Sequence, residues 1–509
     1  MALVESVEPT SPGRRRLRTR CPITDRPLGE HDVANAEDVA AAIKRARAAQ
    51  LSWADRSFSQ RAVVMKRALQ ILIKKQDHFM DRIIAETGRN RTETMMMAIF
   101  AACDSLNYYA RNAEKILRSR SQGLHLLRMK RAYITYRPLG VVGIITPWNG
   151  PFQLSLNPTV QALMAGNAVI IKPSEVTPDC GKLVVELLEE AGLPEGVCQV
   201  LFGDGETGAA LIEGGVNKIS FTGSVATGRK VGAACGHSLI PCSLELGGKD
   251  PAVVCADADL DRAAGGTLFG AMMNTGQFCS STERVYVVAS VADEFVEKVV
   301  AEARRLVVGR EGAYDIGPFI SPRQLEIVED HVSDALAKGA RALVGGKRSE
   351  VGAHYFEPTV LVDVDHTMKI MTEETFGPVL PIMVVRDEDE AVEKANDTRF
   401  GLGASVWTTD RRRGEAIAAR LQAGAITIND SSITYGALEV PFGGVKDSGV
   451  GRVNGAEGLR SFCHAVPVIS DRFGQKREFV WYPYTEETLS GLKKAVSWLW
   501  GSPIRSLMR

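Results

Sequence analysis

The sequence has few of the features that mark secreted, membrane-spanning or nucleic-acid-binding proteins. Its nine cysteines in 509 residues include no Cys-x-x-Cys pair, which favours a reducing, cytoplasmic compartment over a disulfide framework. The basic N-terminal segment is not followed by the apolar stretch that a secretory signal requires. The sequence also contains no run of about 18 apolar residues, so no membrane-spanning helix is predicted. Basic and acidic residues number 61 each, so no net positive charge attracts nucleic acid.

The composition that remains is that of a large globular protein, with 45% hydrophobic, 24% charged and 6% aromatic residues. At about 150 residues per domain, the length predicts about three domains, or two with an appended element. We therefore expect small molecules and further copies of the chain as partners, and no metal site.

Alternating helices and strands predict an α/β fold. Residues 36–118 form a predicted helical layer, with Asn35 and Ser57 as helix caps. From residue 133 to 246, short apolar strands alternate with helices, which is typical of a parallel sheet wrapped by helices. A second alternating series follows Asp257. Such sheets bind ligands at the carboxyl ends of their strands.

Polar residues follow two of the predicted strands. Asn149, in Thr-Pro-Trp-Asn, places an amide donor at the sheet edge, where it could stabilise an oxyanion or simply cap the next helix. Lys172 and Glu175 follow the next strand and could hold a ribose diol, although solvated charges at strand ends are common. Both motifs are ambiguous when each is taken alone.

A glycine-containing turn follows a third strand. Gly223 and Gly228 lie five residues apart between strand and helix, where backbone N–H groups and the helix dipole attract phosphate. The turn is neither G-x-G-x-x-G nor a P-loop. The glycines could equally serve only close packing of the helix on the sheet.

Two residues are candidates for covalent chemistry. Glu245 ends a predicted strand beside glycines, and could be either a functional or merely a solvated carboxylate. Cys279 lies in a polar loop after Gly276, whereas most other cysteines lie in apolar segments where a thiol is usually inert. Cys279 is the most favourably placed nucleophile.

Taken together and in this order, the motifs resemble those of the aldehyde dehydrogenase superfamily over about residues 20–472. The matching segments are Thr-Pro-Trp-Asn at 146–149, Lys-Pro-Ser-Glu at 172–175, Phe-Thr-Gly-Ser at 221–224, Glu-Leu-Gly-Gly-Lys at 245–249, Gly-Gln-x-Cys at 276–279, Glu-x-Phe-Gly-Pro at 374–378 and Pro-Phe-Gly-Gly-x-Lys-x-Ser-Gly at 441–449.

The resemblance implies an NAD(P)-dependent, hydrolytic enzyme with a Rossmann-like cofactor domain, an α/β catalytic domain and a small β element for assembly into homodimers or homotetramers. Cys279 would attack the aldehyde, Asn149 would hold the oxyanion, and Glu245 would activate water against the thioester. The implied cofactor-binding residues are Trp148, Lys172, Ser174, Glu175, Gly223, Ser224, Gly228, Leu246, Gly247, Glu374 and Phe376.

The implied domain boundaries divide the chain into four parts. These are residues 1–119 with 139–246 for NAD binding, including the N-terminal helical layer, residues 247–462 for catalysis, residues 120–138 with 463–472 for oligomerisation, and a C-terminal amphipathic extension over residues 473–509.

Glu175 beside the ribose 2′ position favours NAD over NADP, because a carboxylate repels a 2′-phosphate. NADP stays possible, since Lys172 or Arg229 could offset that repulsion. The family branch that transfers acyl groups to coenzyme A does not retain a glutamate at the position of Glu245, so its presence favours hydrolysis.

The expected substrate is an aromatic or a medium to long aliphatic aldehyde, because no arginine appears among the expected tunnel residues. Those residues are Gly150, Phe152, Leu154, Asn157, Phe278 and the segment 429–435. Alternatives are a semialdehyde, acyl transfer to coenzyme A, or a non-catalytic protein that reuses the fold.

The C-terminal extension predicts an amphipathic helix. Its apolar residues Leu489, Leu492, Val496 and Leu499 share one face, and Lys493 and Lys494 lie off that face. With Trp481, Trp498 and Trp500, this pattern is typical of peripheral membrane contact through residues 485–500. It could also be a lid or pack on a neighbouring subunit.

Overall fold

The computed structural model describes residues 4–7 and 14–501; the N-terminal tail expectations for residues 1–3 and 8–13, and the end of the extension at 502–509, lie outside the described residues. The chain divides into two compact units. One comprises residues 1–118 with 136–464, and the other comprises residues 119–135 with 465–509.

The strands of the described residues are, in chain order, β1 Val4–Val7, β2 Arg16–Arg20, β3 Pro27–Asp32, β4 Arg120–Gln122, β5 Lys130–Pro138, β6 Val141–Ile145, β7 Ala168–Lys172, β8 Cys198–Val200, β9 Lys218–Thr222, β10 Cys242–Glu245, β11 Asp250–Val254, β12 Thr282–Val288, β13 Arg341–Val344, β14 Thr359–Val362, β15 Val379–Val385, β16 Gly403–Trp407, β17 Ala425–Ile428, β18 Gly449–Val450 and β19 Cys463–Asp471.

The α-helices of the described residues are α1 Ala36–Ala54, α2 Phe58–Lys74, α3 Gln76–Thr87, α4 Arg91–Thr94, α5 Ala101–Leu117, α6 Pro151–Met164, α7 Pro178–Glu190, α8 Gly205–Glu213, α9 Val225–His237, α10 Leu260–Met272, α11 Ala292–Ala303, α12 Pro322–Ala337, α13 Lys369–Thr372, α14 Glu388–Asn396, α15 Arg411–Ala418, α16 Gly455–Arg460 and α17 Glu486–Trp500. A π-helix, Met95–Phe100, joins α4 to α5, and single 3₁₀ turns occur at Ala289–Val291, Thr434–Gly436 and Lys446–Ser448.

The first large sheet has the order β18-β10-β9-β6-β7-β8 and is parallel except at β18. Its central strands β6 and β7 are fully buried, and seven of their ten residues are Val or Ile, as expected when helices cover both faces. The register pairs Ile145 with both Lys172 and Phe221, and Glu245 with Thr222. Four strands therefore end at one edge.

The second sheet has the order β13-β14-β15-β12-β11-β16-β17 and is parallel except at β13. Separate apolar clusters cover its two faces, one around Val253 and Tyr286 and the other around Val254 and Val287. The α/β prediction of two parallel-sheet layers is confirmed.

The predicted helical layer is present. Asn35 and Ser57 cap α1 and α2 through reciprocal side-chain and backbone hydrogen bonds with Asp38 and Gln60. Helix α6 begins at Pro151, which takes the first helical position where a missing N–H costs nothing.

A three-stranded sheet, β1-β2-β3, precedes the helices and was absent from the sequence prediction. Its strands are rich in charged residues, which usually indicate loops. They pair because Arg16 and Arg18 on β2 meet Asp32 and Glu30 on β3, while Leu17 is buried.

The smaller unit contains strand β4, α17 and most of β5 and β19. The sheet β19-β5-β4 matches the strand region predicted at 120–138 and 463–471. Thr485 caps α17, whose first turn contains Glu486 and Glu487. Among the helices described between residues 14 and 501, none combines the length and apolar character that crossing a bilayer requires.

Candidate active site

The carboxyl edge of the first sheet brings several predicted site residues together. The β6 strand ends before the Thr-Pro-Trp-Asn turn, β7 ends at Lys172, and β10 ends at Glu245. Because these strands are parallel and in register, three motifs far apart in sequence lie along one edge.

A tunnel of about 450 Å³ reaches this region, and Asn149 and Cys279 both line it. The Asn149 side-chain amide donates to the Gln277 carbonyl at 3.1 Å, which holds it beside the loop that carries Cys279. The capping alternative for Asn149 is wrong, because Gly150 is the N-cap of α6. The Asn149 amide is therefore a donor fixed next to the candidate nucleophile.

Three successive left-handed residues shape the loop before Cys279. The φ angles are 56° at Asn274, 59° at Thr275 and 68° at Gly276, a conformation that costs about 1–2 kcal/mol at each non-glycine residue. Gly276 is required sterically as well, since a Cβ there would lie 2.1 Å from the Gly377 carbonyl oxygen. The surrounding structure must therefore stabilise this turn.

Arg89 provides much of that stabilisation. Its guanidinium is buried and donates to the Asn274 Oδ1 at 2.8 Å and to the Asn149 carbonyl at 2.5 Å. The Asn274 amide nitrogen in turn donates to the carbonyls of Asn149 and Gln277. Glu93 accepts from the Asn274 backbone N–H at 2.8 Å. This cluster, which we call the Arg89 network, joins the oxyanion candidate to the cysteine loop.

The Cys279 thiol is only partly exposed. Desolvation, with the nearby carboxylates of Asp250, Glu245 and Glu374, raises the pKa of the thiol to about 12. The thiolate is therefore scarce at neutral pH unless positive charge or a proton acceptor is brought to the site.

Glu245 is buried rather than solvated, so the alternative of a solvated strand-end carboxylate is wrong. Neither of its oxygens accepts a hydrogen bond from any described residue. Burial raises the pKa of this carboxyl well above its usual value, only partly offset by Arg452. An unpartnered buried carboxylate is a candidate proton acceptor.

Trp148 and Phe376, predicted nucleotide contacts from distant motifs, meet edge to face at 5.7 Å between ring centroids. Glu374 accepts from the Gly248 N–H at 2.9 Å. Its carboxylate lies so close to Gly247 that a Cβ there would be 2.1 Å away. The two glycines of Glu-Leu-Gly-Gly-Lys thus form a cradle for Glu374. Burial raises the pKa of the Glu374 carboxyl to about 8.

Lys172 is buried, and its Nζ donates to the Gly203 carbonyl at 2.8 Å. The same Nζ lies 3.6 Å from the Glu175 carboxylate. Desolvation lowers the pKa of the ammonium. Glu175 is partly exposed, whereas the Ser174 hydroxyl is buried and accepts from the Val176 N–H. The pair predicted to bind ribose is therefore positioned at the edge of β7.

Ser224 is the N-cap of α9 and accepts from the Thr227 N–H. Gly228 packs so closely on Leu246 that a Cβ would lie 2.3 Å from its methyl group. At Gly228 the packing explanation is therefore sufficient, although the start of α9 still presents backbone N–H groups. A Cβ at Gly223 would meet the Phe221 ring at 2.6 Å.

The expected tunnel residues are partly confirmed. Gly150, Leu154, Phe278 and residues 430–433 with Tyr435 line the tunnel. The expectation was wrong for Phe152, whose ring packs on Phe79 in the core. It was also wrong for Asn157, whose amide is fully buried and donates to Tyr435 and Asn454.

One whole wall of the tunnel was missed in the sequence. It comes from the π-helix and the start of α5, with further residues from α10 and neighbouring loops: Arg89, Met96, Met97, Phe100, Ala101, Asp104, Gln153, Phe269, Met273, Gly436 and Leu438. In the sequence, the run Met-Met-Met-Ala-Ile-Phe at 95–100 is compatible with an ordinary apolar helix, and only the structure shows a π-helix there, a feature that occurs often at functional sites. Arg89 also corrects the expectation of a tunnel without arginine.

Comparison with known proteins gives a consistent result. The model of the aldehyde dehydrogenase family matches residues 8–468. A 4,4′-diapolycopene aldehyde oxidase of Methylomonas is 40% identical over 482 residues, covering 94% of this chain and 90% of the relative. A putative NADP(+) succinate-semialdehyde dehydrogenase of Mycolicibacterium smegmatis is 43% identical over 455 residues, covering 88% and 87%.

Solved structures agree with these relatives. A Mycobacterium tuberculosis aldehyde dehydrogenase complexed with NAD+ superposes with a TM-score of 0.86 at 36% identity, covering 92% of this chain and 97% of that one. An NADP-dependent enzyme of Escherichia coli gives a TM-score of 0.87 at 33% identity, covering 92% and 98%.

The raised pKa of Cys279 predicts slow alkylation at neutral pH. Because only the thiolate reacts, the rate of modification by iodoacetamide should rise about tenfold per pH unit between pH 7 and 10. Mass spectrometry of the peptide containing Cys279 measures this rate, with added free cysteine as the internal control. A plateau below pH 9 would contradict the assignment.

The Arg89 network predicts a catalytic defect without loss of the fold. Arg89→Met removes the donors to Asn149 and Asn274, and should lower aldehyde turnover about tenfold to a hundredfold. Arg341→Met is the matched control, because its ion pair with Asp363 is exposed and should matter by about 0–1 kcal/mol. Equal rates in both variants, measured with thermal melting in parallel, would refute the positioning role.

Proposed function

Because this chain belongs to the aldehyde dehydrogenase family, we propose that it oxidises apolar aldehydes to carboxylic acids through a thioester on Cys279 that water hydrolyses. It is an NAD(P)-dependent enzyme. The proposal rests on the arrangement of three residues. Cys279 and the fixed Asn149 amide line the same apolar tunnel. The buried, unpartnered carboxylate of Glu245 lies close enough to Cys279 to raise the pKa of its thiol.

The residues at the carboxyl edge fit a nicotinamide dinucleotide. Gly247 leaves a cradle in which Glu374 lies, the N–H groups at the start of α9 suit a pyrophosphate, and Glu175 suits a ribose diol. When bound, the dinucleotide supplies the hydride acceptor of the oxidation. Trp148 and Phe376 would pack beside it.

In the first half-reaction, the Cys279 thiol releases its proton to solvent, and the resulting thiolate attacks the aldehyde carbon and forms a carbon–sulfur bond. The carbonyl electrons move to oxygen, where the Asn149 amide and the Cys279 backbone N–H donate to the resulting oxyanion. Loss of hydride from that carbon restores the carbonyl and leaves a thioester. The Arg89 network keeps the Asn149 donor in place without reorganisation during the step.

In the second half-reaction, Glu245 accepts a proton from water as the oxygen attacks the thioester carbon. The carbon–sulfur bond breaks, the acid leaves, and the cysteine is restored. The burial that raises the pKa of Glu245 makes it a stronger base than an ordinary carboxylate. This buried glutamate favours water over coenzyme A as the acyl acceptor.

We favour NAD over NADP because the two cations that could neutralise a 2′-phosphate are otherwise engaged. Lys172 donates to Gly203 and lies near Glu175, and Arg229 forms an ion pair with Asp447 at 2.7 Å. The Glu175 carboxylate would thus repel the phosphate. The relatives' names include NADP, so assays should contain both nucleotides.

The tunnel favours apolar aldehydes over acidic semialdehydes. Nine of the 21 residues that line it are Met, Phe, Leu or Ile, and Asp104 and Asp430 add negative charge. Burial and the neighbouring Glu439 raise the pKa of Asp104. Arg89 lines the wall, but its guanidinium already donates to Asn274 and Asn149. A substrate carboxylate would therefore meet repulsion without a free partner.

The domain boundaries predicted from the resemblance become our proposed assignment. The smaller unit, residues 119–135 with 465–509, approximates the predicted oligomerisation element together with the C-terminal extension. Strands β4 and β19 are edges of its sheet, and such edges can pair with another copy. We propose that they mediate a homodimer or homotetramer.

The C-terminal extension is proposed to contact membrane surfaces. Leu489, Leu492 and Val496 share one exposed face of α17, and Trp481 and Trp500 are also more than half exposed. Tryptophans beside lysines suit the interface between water and lipid. Such contact would bring the enzyme to apolar substrates.

The thioester scheme predicts different effects of two substitutions. Cys279→Ala should abolish aldehyde oxidation while nucleotide still binds. Glu245→Gln should give a burst of reduced nucleotide equal to the enzyme concentration and then turn over at least a hundredfold more slowly, because the thioester accumulates. Stopped-flow absorbance with nonanal and benzaldehyde measures both.

The control for these measurements is Glu190→Gln, on the exposed end of α7, which should behave like the unaltered enzyme. Full activity of Cys279→Ala would refute the scheme. No oxidation of any aldehyde with either nucleotide would favour the non-catalytic alternative. A strict requirement for coenzyme A would favour acyl transfer, and preference for succinate semialdehyde would contradict the tunnel argument.

The extension predicts vesicle binding that depends on its aromatic residues. The full-length protein should co-sediment with vesicles of phosphatidylcholine and phosphatidylglycerol, and the double variant Trp481→Ser with Trp500→Ser should bind at least fivefold more weakly. Leu51→Ser, an exposed apolar position on α1, is the control. Equal sedimentation of all three proteins would exclude the membrane role.

A further inference from the structure

We propose that a surface groove beside the tunnel mouth binds the far end of a long alkyl chain whose aldehyde carbon lies at Cys279. The inference rests on the proposed aldehyde oxidation and narrows its substrate to long-chain aliphatic aldehydes. The inference is based on two neighbouring cavities, the tunnel and the groove, which share the lining residues Met96 and Phe100.

The groove has a volume of about 580 Å³ and is lined by Met80, Arg91, Thr92, Met95, Met96 and Phe100. Met96 and Phe100 also line the tunnel. The Phe100 side chain is 70% exposed and that of Met96 is 40% exposed, so these residues mark the mouth. A chain that leaves the tunnel there enters the groove directly.

The chemistry of the groove suits an alkyl chain. Three methionines and a phenylalanine form most of its wall, and thioether side chains adapt to irregular apolar ligands. The single cation, Arg91, forms ion pairs with Asp77 and Asp81, so it offers little to an anionic group. Because the groove continues from the tunnel at Met96 and Phe100, its occupant should be the uncharged hydrocarbon end of the substrate.

The length of the substrate should then affect the rate beyond the filling of the tunnel. Each methylene taken out of water is worth about 0.8 kcal/mol, or a factor of about four at full burial. Because the groove is open on one side, we expect a rise of about twofold per methylene in kcat/KM between hexanal and tetradecanal.

The test measures the ratio of kcat/KM for tetradecanal to that for hexanal by reduced-nucleotide fluorescence, with both aldehydes below their aggregation concentrations. Met95→Gln, which alters the groove but no tunnel-lining residue, should lower this ratio threefold to tenfold. Thr92→Leu, which enlarges the apolar wall, should raise it about threefold. Leu51→Gln, on an exposed part of α1, should leave it unchanged.

Opposite shifts in the two groove variants would support the inference, since a folding defect cannot raise the ratio. An unchanged ratio in both, with hexanal still oxidised, would overturn the groove but not the proposed function. An unchanged ratio with an altered oligomeric state in size-exclusion chromatography would also overturn it and identify a subunit contact. Absence of oxidation for every aldehyde would instead refute the proposed function itself.

Discussion

The loop that precedes Cys279 is held by a buried arginine, and the geometry of the candidate site depends on that interaction. A turn with three successive left-handed residues ahead of Cys279 is unfavourable in an isolated chain. Arg89 and Asn274 stabilise it by bonding to the same backbone carbonyl, that of Asn149. Consequently the loop of the proposed nucleophile and the proposed oxyanion donor are fixed by one set of hydrogen bonds, which is the preorganisation that acyl chemistry requires.

A second buried arrangement supports the nucleotide side of the site. Glu283 accepts from Lys249 Nζ at 2.6 Å and from the backbone N–H groups of Thr375 and Phe376. Arg284, on the same strand, donates twice to the Lys249 carbonyl. These contacts join the Glu-Leu-Gly-Gly-Lys motif to the Glu-x-Phe-Gly-Pro motif. Glycines at 247 and 276 then permit the close backbone approaches that the joined loops need.

The sequence allowed a candidate site to be proposed because Asn149 and Glu245 stand at the ends of parallel strands, which end together, whereas Cys279 lies in the loop before β12. Asn149, Glu245 and Cys279 could be proposed from their motifs. The tunnel wall could not, because the apolar run at 95–100 is compatible with an ordinary core helix. The charged β1–β3 sheet was equally hidden, since cross-strand ion pairs form only after the strands meet. Arg89 was missed for the same reason: its partners are 60 and 185 residues away in sequence.

The π-helix between α4 and α5 has an evolutionary consequence. A π turn holds one residue more than an α turn, so deletion of one residue there can restore regular helix while both flanks keep their orientation. On one side of it Glu93 accepts a hydrogen bond from the cysteine loop, and on the other side Leu106 packs in the core. Insertion or deletion of a single codon at residues 95–100 could therefore change the tunnel wall, and with it the preferred aldehyde, while the residues around Cys279 keep their positions.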